Sequence, residues 1–326
     1  MSRSTRPFAT GKQLGKPLTG HTDTVSAVAV GTLDGKTIAV SGSWDKTLRV
    51  WDLATGKQLG KPLTGHTRTV LEVAVGTLDG KTIAVSSSWE GTLRVWDLAT
   101  GKQLGTPLTG HTGHVLEVAV GTLDGKTIAV SGSWDGKLRV WDLATGKQLG
   151  NPLTGHTSIV SAVAVGTLDG ETIAVSGSRD KTLRVWDLAT GKQLGNPLTG
   201  HTSIVSAVAV GTLDGKTIAV SGSNDETLRV WDLATGKQLG KPLTGHTGPV
   251  LEVAVGTLDG ETIAVSGSWD GTLRVWDLAT GKQFGKPLTG HTRPVSAVAV
   301  GTLDGETIAV SGSEDKTLRV WSWGSP

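Results

Sequence analysis

The sequence predicts an all-β protein in which seven copies of one unit close into a ring. Three observations carry that prediction. A Gly-His pair recurs with its histidine at His21, His66, His111, His156, His201, His246 and His291, always 45 residues apart, and a fixed period of this length marks a repeat architecture. Within the period no helical apolar spacing is sustained, while short stretches rich in β-branched residues alternate with turn signals. The two ends of the chain are complementary fragments of the same unit.

Each element follows from the unit "GHTDTVSAVAVGTLDGKTIAVSGSWDKTLRVWDLATGKQLGKPLT". "VSAVAV", "TIAVSGS" and "TLRVWD" read as three strands, because they are β-branched and free of proline. "TLDG" and "LATGKQ" read as turns, since Asp and Gly tolerate the dihedrals of tight reversals. "KQLGKPL" reads as a fourth strand at a sheet edge, where glycine and proline do least harm to the ladder.

The chain opens on "FATGKQLGKPLTGH", which has only the fourth strand, and closes on "TLRVWSWGSP", which lacks it. Residues 11–18 are therefore expected to complete the blade formed by residues 290–322. That closure would remove the two free edges of a linear array. A single domain over residues 11–322 follows, with residues 1–10 expected as a disordered tail and 323–326 as a short one.

Composition excludes several function classes. The 326 residues carry 31 Lys plus Arg against 29 Asp plus Glu, a net charge of +2, so nothing draws the chain to nucleic acid or a membrane surface. Without cysteine there is no disulfide, thiolate metal site or cysteine nucleophile. No apolar run reaches membrane-spanning length, and the start lacks the apolar core of a signal peptide. A soluble, cytoplasmic, monomeric protein without cofactor is expected.

Four short strands per unit, opened by "GH" and closed by "WD", resemble the WD40 repeat, and the match covers nearly the whole chain. The resemblance implies a seven-bladed WD40-like β-propeller with four antiparallel strands per blade around a central channel. Turns such as "TGKQLG" are almost identical between copies. That points to a very recent amplification, as in the repetitive bacterial WD40 arrays that often follow signalling ATPase or kinase domains, or to a consensus or engineered chain.

In WD40 proteins a Trp–Ser–His–Asp chain of hydrogen bonds ties a blade together. A hairpin turning near Lys46 puts Ser41 opposite Trp51, so the resemblance assigns the first chain to Trp51, Ser41, His21 and Asp45, with Ser43 open as the alternative serine. A buried indole N–H needs an acceptor, which the serine supplies. The other sets are Trp96, Ser86, His66 and Glu90; Trp141, Ser131, His111 and Asp135; and Trp186, Ser176, His156 and Asp180. The series ends with Trp231, Ser221, His201 and Asp225; Trp276, Ser266, His246 and Asp270; and Trp321, Ser311, His291 and Asp315.

Blade 2 departs from the pattern with Glu90 and Ser87, and its network is expected to be the weakest. A Ser–His–Asp set also raises catalysis, but seven buried copies without an oxyanion donor argue for a structural role and no enzyme. The histidines each have a local carboxylate and lie apart, so no metal site is expected. His114 lies outside the repeat with no clustered companion. "TLDGK" lacks the carboxylates of a calcium loop.

Function is sought where the copies differ. The pair after Gly-His-Thr, the next "SA" or "LE", and the residues flanking the turn carboxylate all vary. The resemblance places them on one rim, the usual partner-binding face of the family. Trp44, Trp89, Trp134 and Trp269, joined by Leu71, Leu116, Leu251, Ile159 and Ile204, would form an apolar arc there. Glu72, Glu117, Glu252 and Arg179 would add polar contacts. Asn224 and Glu314 replace the tryptophan in two other blades, and Pro294 stands beside Glu314.

Tryptophan-rich patches of this kind are typical binding hot spots, so a non-catalytic module for a protein or peptide is the leading reading. Two alternatives stay open: a consensus or designed propeller without a natural partner, and carbohydrate binding by indole stacking. The indoles would otherwise shield the hydrogen-bond chains beneath them, or make a lattice or self-association contact.

Overall fold

The computed structural model describes residues 11–323, which form 28 strands in seven four-stranded antiparallel sheets. β1 is Lys12–Thr19, and blade 1 follows as β2 (Val25–Leu33), β3 (Lys36–Ser43), β4 (Thr47–Asp52) and β5 (Lys57–Thr64). The pattern then repeats to β26 (Val295–Leu303), β27 (Glu306–Ser313) and β28 (Thr317–Ser322). The protein is a seven-bladed β-propeller.

Closure is made by β1, which adds to β28 with Lys12 opposite Ser322 and Thr19 opposite Thr317. This blade 7 has the order β1-β28-β27-β26. The seam it makes with blade 1 is bonded as the seam between blades 1 and 2 is. Thr37 donates to the Thr302 carbonyl across it at 3.0 Å, as Thr82 does to Thr32 at 2.9 Å between blades 1 and 2.

Local geometry explains the turns. Leu33 pairs with Lys36 around Asp34 and Gly35, whose φ angles of 49° and 75° make the two-residue reversal that suits strand twist. After β4, Asp52 Oδ1 accepts from Ala54 N at 3.0 Å and Thr55 N at 3.1 Å, so the aspartate of Trp-Asp closes the turn into β5. This is an Asx-type turn.

The core lies between blades rather than within one. Ile38, Val40, Leu48, Val50 and Leu63 of blade 1 pack with Val70, Val73, Trp96 and Leu98 of blade 2, and six analogous clusters complete the ring. Gly42 lets this seam close tightly, since a Cβ there would stand 2.6 Å from Val70 Cγ1, and blade 2 alone places a side chain, Ser87, at the equivalent position.

Two sequence expectations need correction. Ser41 pairs with Arg49 and Trp51 with Ala39, so Trp51 stands diagonally from Ser41 on the same sheet face. Trp323, expected in a tail, is 7% exposed and belongs to the core cluster of blades 6 and 7. It follows Trp321 at the spacing by which Leu53 follows Trp51, and it fills the leucine's place. The expected tails at residues 1–10 and 324–326 lie outside the described residues.

Candidate functional site

The hydrogen-bond chain forms in every blade. Trp51 Nε1 donates to Ser41 Oγ at 2.9 Å, His21 Nε2 meets the same oxygen at 2.8 Å, and His21 Nδ1 reaches Asp45 Oδ2 at 2.8 Å. Ser43 is not the indole's partner: its hydroxyl donates to the Asp23 carbonyl and accepts from Asp45 N. One order of donors satisfies every group in turn. The carboxylate accepts from Nδ1–H, so the bare Nε2 accepts from the serine O–H, whose oxygen is left to accept the indole N–H. A neutral histidine fits this arrangement.

Titration follows the same logic. Burial holds His66 and His201 below the usual 6.5, outweighing the pull of Glu90 and Asp225 in the opposite direction. Burial alone would raise the carboxylates. The hydrogen bond from His111 nevertheless holds Asp135 at about 2, and Thr227, Thr202 and His201 do the same for Asp225.

The expected weakness of blade 2 is overturned. Glu90 Oε1 meets His66 Nδ1 at 2.7 Å, as close as any aspartate, and Glu90 also accepts from Thr67 N at 2.7 Å, from the Thr67 hydroxyl and from Thr92. The added methylene lets it reach Arg94 Nε at 3.5 Å. The corresponding Nε of Arg49, Arg139, Arg184, Arg229, Arg274 and Arg319 has no partner. The cost of blade 2 lies elsewhere, in the buried, unpaired Ser87 hydroxyl.

The variable residues share one rim. Trp44 N donates to Thr24 O at 2.9 Å and Trp134 N to His114 O at 3.0 Å, which ties the β3–β4 turn to the loop entering the inner strand. Among the large apolar residues on this rim, the tryptophans are exposed: Trp269 57%, Trp44 48%, Trp134 40% and Trp89 38%. Leu71, Leu116, Leu251, Ile159 and Ile204 are half-buried, so the apolar arc is narrower than the sequence implied.

Blades 2 to 4 gather an interlocked cluster. The His114 ring stacks on Trp89 with centroids 4.2 Å apart and meets Trp134 edge-on at 4.8 Å, while the two indoles lie 5.5 Å apart. His114 Nδ1 donates to the Trp89 carbonyl. Arg179 places its guanidinium 5.6 Å from the Trp134 ring, within cation–π range. His114, set aside in the sequence as a residue without companions, is the centre of this group. Its only sequence signal was that it replaces the threonine, isoleucine or proline that the other copies carry before the inner strand.

Glu72, Glu117 and Glu252 depart furthest from expectation. They sit on the inner strands β6 (Val70–Leu78), β10 (Val115–Leu123) and β22 (Val250–Leu258), and their carboxylate oxygens lie within 4.8 Å of one another. Blade 6 is the blade farthest around the ring from both blade 2 and blade 3, so these side chains meet across the central channel instead of decorating the rim. Sequence displayed the three "LE" pairs but not that they converge.

Comparison with known families now adds one finding. The family model described as "WD domain, G-beta repeat" matches residues 11–52, 56–97, 101–142, 146–187, 191–232, 236–277 and 282–322. The chain belongs to the WD40 family. None of the curated proteins compared with it matches. WD40 propellers are generally protein-interaction scaffolds without catalytic chemistry. The buried serines of this WD40 propeller accord with that, since Ser41 and its six equivalents are wholly inaccessible. Among the described residues no helix is long and apolar enough to cross a membrane.

Proposed function

We propose that this WD40 propeller is a non-catalytic, cytoplasmic binding module that takes a protein or peptide on its top face. The Trp89–His114–Trp134–Arg179 cluster is the contact centre, and Trp44 and Trp269 are outlying contacts. One observation carries the reading: an exposed aromatic cluster already locked in place by ring stacking and by the His114–Trp89 hydrogen bond. Rigid aromatic anchors lose little side-chain entropy on binding.

A comparison between blades supports binding over shielding. Arg179, Asn224 and Glu314 replace the tryptophan in blades 4, 5 and 7. The histidine bonds there are 2.8 Å to both serine and carboxylate, the same as beneath Trp44 and Trp269. The indole is not needed to hold the chain below it.

The test is paired capture with the wild type and W89A/W134A, with both melting temperatures recorded. The reading expects one or more proteins retained by the wild type and lost by an equally stable variant. A variant that melts lower and retains the same proteins would return the indoles to a shielding role.

A further inference from the structure

The inner strands β2, β6, β10, β14 (Val160–Leu168), β18 (Val205–Leu213), β22 and β26 read VSAVAVGTL or VLEVAVGTL. None carries a lysine, arginine or histidine. The three channel glutamates are their only titratable residues, and they converge at one level. On the second strands packed behind them, the titratable groups are Lys36, Lys81, Lys126, Glu171, Lys216, Glu261 and Glu306, all at the hairpin end. The glutamates lie toward the opposite end, where Glu72 pairs with Ser87, Glu117 with Gly132 and Glu252 with Gly267. The four lysines reach outward to Asp52, Asp97, Asp142 and Asp232 at 3.4–4.0 Å.

No fixed cation therefore balances the three carboxylates. Backbone N–H groups offer little: Val73 N donates to Glu72 at 3.0 Å and Val253 N to Glu252 at 2.9 Å, and among the described residues no donor reaches Glu117. Like charges at this separation cannot all ionise without strong repulsion, and half-burial in the channel adds to the cost.

We propose that Glu72, Glu117 and Glu252 form a proton-dependent latch in the central channel, which leaves the ring at full stability when the three are protonated and weakens it by mutual repulsion when they ionise. The acidities of the three groups agree. Burial, helped by the Glu252 charge, raises Glu72 well above its usual 4.5. Burial, with the charges of Glu72 and Glu252, does the same to Glu117. Burial pushes Glu252 up to about 8, against the Val253 N–H. A carboxyl raised on folding contributes its full stability below its unfolded value near 4.5 and loses it as pH rises through the folded value. For Glu252 that loss runs from about pH 4.5 to about pH 8.

The latch concerns the channel, so it stands or falls independently of the top-face reading. Its test is thermal unfolding of the intact chain from about pH 6 to about pH 9.5 in a chelator, alongside E72A/E117A/E252A. Alanine already fills this position in the other four blades as Ala27, Ala162, Ala207 and Ala297, so the variant has an internal precedent for folding. The wild type is expected to lose several degrees of melting temperature across this range while the variant stays flatter. Potentiometric titration should show the native wild type releasing protons there that the variant does not. Parallel melting profiles would overturn the latch. So would a wild type whose stability at the alkaline end is restored by millimolar calcium or manganese, since the cluster would then be a cation site.

Discussion

The Trp51 indole donates to the Ser41 hydroxyl at 2.9 Å, from two residues beyond the position that pairs directly with Ser41. The bond is therefore diagonal across the β3–β4 ladder, and the same serine oxygen also serves His21. Replacing Ser41 by alanine strands a buried N–H and a buried imidazole nitrogen together. A stability loss of about 2–4 kcal/mol is expected from two unsatisfied groups, read by chemical denaturation. A loss below about 0.5 kcal/mol would mean that the chain is incidental to blade stability.

Acid should undo the chain in two stages. His66 and His201 are held neutral, below their usual 6.5. The unfolded chain therefore takes up protons first, and their contribution fades as pH falls below about 6.5. Asp135, Asp225 and Glu90 have folded values at about 2. Their contribution is complete above the unfolded values of 3.8 and 4.5 and drains away as pH falls towards 2. Asp225→Asn should shallow the lower stage, seen in the melting temperature between about pH 5 and about pH 2.5.

Blade 2 carries a removable defect. Ser87 stands where the other blades have glycine, and its hydroxyl is buried without a partner. Ser87→Gly should raise stability by about 1 kcal/mol. A destabilised variant would show that the hydroxyl's packing outweighs its missing bond.

The turn after the network carboxylate offers a second gain. Lys46, Lys181 and Lys316 hold φ of 72°, 71° and 69°, whereas blades 2, 3 and 6 place Gly91, Gly136 and Gly271 there. A side chain in this region costs about 1–2 kcal/mol, partly offset by glycine's greater unfolded-state entropy. Lys46→Gly should therefore add about 0.5–1 kcal/mol, and the triple change should be close to additive because the turns are far apart.

The repeat itself made most of the fold legible. A 45-residue period with four β-rich segments, cut between the third and fourth at the two ends, gives seven complete four-stranded sheets only if the first strand joins the last three. Strand count and closure by β1 were therefore readable before any coordinate. The hydrogen-bond partners His21, Ser41, Trp51 and Asp45 were legible too, because recurrence at fixed spacing marks residues whose contacts lie inside the unit. Trp323 could have been read the same way, by its offset from Trp321.

Tertiary structure alone decided what depends on contacts between units. Period and spacing are blind to which blades face each other, so His114 looked solitary until ring curvature set it between Trp89 of blade 2 and Trp134 of its own blade. Glu72, Glu117 and Glu252 likewise looked like rim charges. An inner strand turns alternate side chains towards the axis, and closing seven such strands around a narrow channel brings three distant carboxylates together. Sequence determined the blade and its closure, and the ring decided where charge and aromatic surface accumulate.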